Sequence, residues 1–141
     1  MGDISQNFSY SEFEHSDTAK QYGIDNSIPN DHIRAAVKSL VDNVLQPLRD
    51  EWGQSLHINS GYRCQRLNQL VGGVDTSQHT KGEAADIKCK TPRTLAALAE
   101  SMNLPFDQMI LYPTFVHFSH KLEGEQRHQI LYNKSYNGPT L

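Results

Sequence analysis

Residues 77–89 read Ser77-Gln78-His79-Thr80-Lys81-Gly82-Glu83-Ala84-Ala85-Asp86-Ile87-Lys88-Cys89. Residues 77–83 are polar or glycine, which is loop composition, and Gly82 permits a sharp turn within them. From Ala84 the pattern becomes that of a strand. Ala85, Ile87 and Cys89 share one face, and Ala84, Asp86 and Lys88 share the other. With the first set toward the core, Asp86 projects from the polar side. The run Phe115-Val116-His117-Phe118-Ser119 repeats the logic: Val116 and Phe118 face one way, His117 the other with Phe115 and Ser119. Placed in one sheet, the two strands bring Asp86 and His117 to a common face, and the loop carrying His79 folds back over it.

The flanking sequence supplies the rest of the fold. In the segment from Asp31 to Arg49, Ile33, Val37, Leu40, Val41, Val44, Leu45 and Leu48 make one wide apolar stripe at helical spacing. Asn30 or Asp31 can cap its start, and Pro47 is expected to bend or end it near Gln46. Residues 8–22 suggest one or two short helices on the surface, with Ser9, Ser11 and Ser16 as possible caps. A strand from Leu56 to Asn59 leads into a Ser60-Gly61 turn, then a short helix over 63–71 closed by Gly72-Gly73. Thr91-Pro92 opens a helix through Met102. Strands fit 84–89, 107–112, 115–119 and 128–132, the middle two joined through Pro113-Thr114. The expectation is a single α+β domain over residues 1–141, a small antiparallel sheet flanked by helices, with residues 133–141 a frayed tail.

At 141 residues the chain is long enough to bury one core without staples. A formal net charge of -3 offers no basic footprint for nucleic acid. Nothing approaches the length of an apolar membrane span. Cys64 and Cys89 lack C-x-x-C spacing; buried free thiols are the plainer reading, and a single 64–89 bridge stays open. Met1 to Asn7 has neither the basic nor the apolar segment of an export signal. Synthesis in the cytoplasm is therefore expected, with another factor needed to reach any external target. The chain is expected to be a monomer.

Two imidazoles and one carboxylate suit zinc, leaving a fourth tetrahedral position for water, which is the pattern of a catalytic site rather than a structural clamp. His79, Asp86 and His117 are therefore candidate metal ligands. His15, His32, His57, His120 and His128 read as surface or hydrogen-bonded side chains.

The run Ser77-x-His79-x-x-Gly82-x-Ala84-x-Asp86, followed by Val116-His117, resembles the zinc DD-carboxypeptidase and L,D-endopeptidase family, peptidase family M15. Asn7-Phe8-Ser9-Tyr10-Ser11-Glu12-Phe13 is similar to its phage-associated branch, as are Ser60-Gly61-Tyr62-Arg63, Leu67-Asn68, Val71-Gly72-Gly73 and Phe106-Asp107-Gln108. The likeness spans about residues 7 to 132. It implies a zinc metallopeptidase cutting a peptide bond of the peptidoglycan stem peptide, of D-alanyl carboxypeptidase or L,D-endopeptidase type. A small hydrolase without an export signal is consistent with phage or prophage release through a pore made by another protein. Arg63 matches an arginine that reaches the substrate carbonyl or the charge developing on it. Ser77 matches a serine lining the site that can bind substrate. Tyr62, Asn68 and Gly72-Gly73 shape the wall behind.

The likeness breaks at one place. Active members put Glu or Asp shortly before the second histidine ligand, usually three residues ahead, to carry the proton from water to the leaving amine. Thr114 stands there. The phage-like branch often has a glutamate at the place of Tyr112. Substitutes within reach in sequence are Glu83, Asp107, Glu123 and Glu125, of which Asp107 reads better as a structural residue. The alternative is a zinc-containing cell-wall-binding module with impaired catalysis.

Overall fold

The computed structural model describes residues 2–141, so Met1 lies outside the described residues. The apolar stripe forms α3 (Asp31–Leu40), a wider π-type turn (Val41–Leu45) and α4 (Gln46–Trp52) in unbroken succession. Asn30 caps the start, its side chain accepting from the Ile33 N–H at 2.9 Å. Pro47 does not end this helix. The turn ahead of it loosens, with the Gln46 N–H donating to the Val41 carbonyl. That extra residue in the turn makes room for the proline ring against the carbonyls behind it. Gly53, at φ 75°, closes α4.

Two short helices precede it, α1 (Tyr10–Glu14) and α2 (Asp17–Gln21). Ser9 and Glu12 close a capping box on α1, and Ser16 caps α2. Then come β1 (His57–Ser60), α5 (Gln65–Leu70), a 3₁₀ turn (Gln78–Lys81), β2 (Ala84–Lys88), α6 (Pro92–Ser101), β3 (Gln108–Leu111), β4 (Phe115–Ser119) and β5 (Gln129–Tyr132). The fold is α+β, as its alternations imply.

The sheet runs in the order β1-β2-β4-β3-β5. Its inner face, with Ile58, Ala85, Ile87, Val116, Phe118, Met109 and Leu111, packs on Val37, Leu40, Val44 and Leu48 and on Leu95, Ala96 and Ala99 of α6. Among the described residues no helix is long and apolar enough to cross a membrane. Cys64 and Cys89 are both free thiols of intermediate exposure.

One expectation is corrected: the sheet is mixed. β1, β2, β4 and β3 pair antiparallel, but β5 pairs parallel with β3. The reason is steric. Both edges of β4 are taken, by β2 and β3, and the chain that reverses after β4 docks on the outer edge of β3 rather than on that of β1. There it runs in the direction of β3. Asp107 fixes this crossing. Its backbone N–H donates to the Ser119 carbonyl at 2.7 Å and its carbonyl accepts from Gln129 at 3.0 Å. Its buried carboxylate accepts from the Arg127 backbone at 2.9 Å and from the Arg127 guanidinium at 2.7 Å. The segment after β5 is held to the body of the protein. Asn133 N–H donates to the Leu111 carbonyl at 2.9 Å, and Arg93 donates to the Thr140 carbonyl at 3.1 Å.

Burial alone would raise the Asp107 pKa, but the hydrogen bonds and charge of Arg127 outweigh it and hold the carboxyl below the usual range. A depressed folded-state pKa contributes stability above the unfolded value, lost as pH falls through the folded one. Asp107→Asn should therefore cost about 2 kcal/mol at pH 7, less than a fully buried pair, because the guanidinium can return to water. Urea unfolding at pH 7 and at pH 3.5 checks this: the wild type should lose more stability on acidification than the variant.

Candidate metal centre

His79 is placed by its own short turn. Ser77 Oγ accepts from the His79 backbone N–H at 3.2 Å, and the Thr80 hydroxyl donates to the Ser77 carbonyl at 2.6 Å. Gly82 ends the turn at φ 73°. A side chain there would also strike the Ile33 carbonyl, 2.8 Å from where its Cβ would sit. Glycine is thus required twice over. The His79 side chain is 3% exposed. Its Nδ1 lies 2.7 Å from the Gly61 carbonyl. A carbonyl only accepts, so Nδ1 carries the proton and Nε2 keeps its lone pair for the cleft.

Asp86 and His117 are placed by register. They sit directly opposite each other in the β2–β4 ladder. His117 Nδ1 lies 2.9 Å from Asp86 Oδ1, and His79 Nε2 lies 3.4 Å from the same oxygen. The two imidazole rings are 5.1 Å apart at 65°. One donor atom from each of the three residues falls within 4.8 Å of the others, close enough to hold one metal ion. The donor set fits a divalent ion of borderline softness: two imidazole nitrogens and one carboxylate oxygen.

Electrostatics favour the ligating forms. Burial pushes the His79 pKa down, against the pull of Asp86, so the ring is neutral near pH 7. Burial opposes the charge on Asp86, but the hydrogen bond from His117 Nδ1 works the other way, and the carboxyl lies below its usual range.

The three residues open onto a cleft of about 350 Å³, walled by Arg63, Ser77, Gly72, Gly73, Tyr112 and Phe115 among others. Arg63 reaches it from the segment after β1. Its backbone N–H donates to the His79 carbonyl at 3.1 Å, and its Nη2 stands 3.4 Å from Ser77 Oγ. Burial lowers the guanidinium pKa, with Asp86 and Tyr112 pulling it back. Gly73 passes so near Asn68 that a Cβ would lie 2.1 Å from Asn68 Oδ1. Asn68 in turn donates to the Val74 carbonyl at 2.8 Å, so this pair shapes the wall. Tyr112 and Phe115 stack at 4.1 Å. Burial first, then the negative charge of Asp86, raises the Tyr112 pKa, so its phenol stays protonated.

Nothing in the sequence marks Asn26, yet it braces the arginine. Its amide donates to the carbonyls of Glu14 and Tyr62, at 3.0 and 2.9 Å, and accepts from the Cys64 N–H at 2.8 Å. The residues on either side of Arg63 are thereby tied to one buried side chain. The signal is three-dimensional only, because residue 26 lies in an irregular stretch between α2 and α3.

The acids that sequence proximity offered as proton carriers lie elsewhere. Asp107 is bound to Arg127 as described. Glu83 accepts from the Leu122 N–H at 3.1 Å and, with Glu123, lines a separate polar pocket. Glu125 and Thr114 are exposed and outside the cleft lining. Among the described residues, Asp86 is the one carboxylate that lines the cleft. Of the remaining histidines, His120 contacts the Pro105 carbonyl at 2.6 Å, and His128 stacks on Phe106. His15 lies 3.3 Å from Asp17.

No curated protein matches the chain. A family model described as Peptidase M15 does match, over residues 6–120, a span that includes α1, the arginine segment and all three clustered residues. The chain belongs to the peptidase M15 family.

Proposed function

We propose that the protein is a zinc-dependent peptidase acting on the stem peptide of peptidoglycan, with His79, Asp86 and His117 as the zinc ligands. The observation that carries this reading is the convergence of their donor atoms within 4.8 Å at the base of an open cleft, in a chain of a peptidase family. A zinc ion held there supplies Lewis acidity towards the scissile carbonyl and the attacking water.

The chain's own residues do the remainder. His79 is fixed in its ligating tautomer by the Gly61 carbonyl. Arg63 presents a guanidinium beside the reacting carbonyl, where it counters the charge that develops on oxygen. Ser77 stands next to it to hold a polar group of the substrate. The protonated Tyr112 donates a hydrogen bond and cannot accept a proton at neutral pH. The cleft accepts a D-alanyl terminus or an L,D cross-link; both bonds present the same amide to the metal.

A second reading has one observation in its favour: among the described residues, no further carboxylate lines the cleft beside Asp86. A general base contributes typically about 10²–10⁴-fold. Without one, the protein acts as a zinc-containing module that binds the wall with little turnover.

Two experiments follow. Zinc-loaded protein incubated with muropeptides should release new amino groups, and His117→Ala should abolish this. Arg63→Ala should lower kcat by about 10²–10³-fold, in line with loss of an oxyanion donor. Binding of muropeptides with no new amines would support the module instead. The second experiment is Tyr112→Glu, which puts a carboxylate in the cleft wall. It should raise kcat toward the general-base increment, followed by initial rates across pH 5–9. An unchanged rate with intact zinc binding would mean that proton transfer does not limit turnover.

A further inference from the structure

The charged end of Arg63 has little to hold it. Among the described residues its one side-chain hydrogen bond, donated from Nη2 to Ser77 Oγ, is long at 3.4 Å. Its Nε–H is buried with no acceptor among the described residues. The guanidinium therefore takes its place in the cleft from where the backbone of Arg63 is fixed, not from partners at its tip.

That backbone is fixed on both sides. The peptide group ahead of Arg63 is held twice. Its Tyr62 carbonyl accepts from the Asn26 amide at 2.9 Å, and its Arg63 N–H donates to the His79 carbonyl at 3.1 Å. The peptide group that follows is held by its Cys64 N–H, which donates to Asn26 Oδ1 at 2.8 Å. One side chain thus grips the two peptide planes whose relative tilt sets φ and ψ of Arg63. It can do so because an amide offers a donor and an acceptor at fixed separation. Asn26 is anchored in turn: it is 6% exposed and donates to the Glu14 carbonyl at the end of α1, at 3.0 Å.

We propose that Asn26 is a positioning residue for catalysis, holding the peptide planes around Arg63 so that the guanidinium reaches the oxygen on which charge develops. The assignment rests on the peptidase reading, which it deepens by adding a buried residue that lies outside the cleft lining. The competing role is a brace that satisfies buried backbone groups and nothing more. Removing a brace lowers stability but leaves the guanidinium of each folded molecule in place. Removing a positioning residue sets it loose.

The test uses the zinc-loaded full chain labelled with ¹⁵N. The Arg63 Nε–H is shielded from solvent, so its cross-peak should be visible, with the heteronuclear NOE of a rigid group. Its absence from Arg63→Lys assigns it. In Asn26→Ala that signal should lose its NOE or exchange away, while one zinc per chain is retained. With muropeptides, Asn26→Ala should lower kcat by about tenfold to a hundredfold and change KM by less than about twofold. Misplacing a contact made in the transition state costs rate rather than binding. In an Arg63→Ala background the same substitution should cost less than about twofold, because the group it places is gone. Asn26→Asp matches the size and keeps the acceptor for the Cys64 N–H, and it carries the same comparison should the alanine variant not fold. An unchanged Arg63 signal in a folded variant, or additive losses in the double substitution, would overturn the assignment. So would loss of zinc, since Asn26 would then act through His79. If the wild type releases no amines yet Arg63 loosens in Asn26→Ala, the peptidase reading fails alone and the hold on Arg63 stands.

Discussion

Asp86 and His117 meet because β2 and β4 pair antiparallel with Asp86 across from His117 and with Ile87 across from Val116. A slip of one residue in either strand would turn its inward set outward, bury a charged or imidazole side chain in the core and expose Ile87 or Phe118. The core therefore enforces the register, and the register places the site. Leu40, Val44 and Leu48 from the long helix press on the inner face of the same strands. The helix in turn is tied to the site loop through Ile33 and Gly82. The hydrophobic stripe and the candidate ligands thus share a single structural constraint.

The third ligand candidate is held differently. His79 comes from a turn rather than a strand, and its position depends on hydrogen bonds instead of packing alone. Ser77 shapes the turn, the Gly61 carbonyl fixes the ring, and the His79 carbonyl accepts the Arg63 N–H. Arginine and histidine are therefore positioned by one network, with Asn26 bracing its outer end. A change in that network moves both the His79 ring and the Arg63 guanidinium, which line the same cleft. Such coupling suits a site where geometry has to be kept within fractions of an ångström.

Much of this was legible in the residues. Alternation alone put Asp86 and His117 on one face, and the loop-glycine-strand pattern put His79 above them. Parity also decides two points that linear proximity obscured. Asp107 shares its parity with Met109 and Leu111, and Glu83 with Ala85 and Ile87, so both point away from the face bearing His117. Tyr112 has the parity of Ile110, which pairs with His117, and it lines the cleft. What was not legible depended on the third dimension. The parallel pairing of β5 follows from its docking beyond β3, which the hydrogen bonds of Asp107 to Arg127 and Gln129 fix. Pro47 is absorbed by a looser turn that no single residue announces. Asn26 acts through three backbone partners from α1 and the arginine segment.

The account stands or falls on whether those three side chains hold one ion and leave it an open position. Zinc K-edge X-ray absorption on the loaded protein tests this most directly. One zinc per chain is predicted, in a shell of nitrogen and oxygen donors at about 2.0–2.2 Å, with replacement of Asp86 by alanine altering the shell. Sulfur scattering at about 2.3 Å, which would implicate Cys64 or Cys89, would contradict it. So would a shell unchanged when Asp86 is replaced.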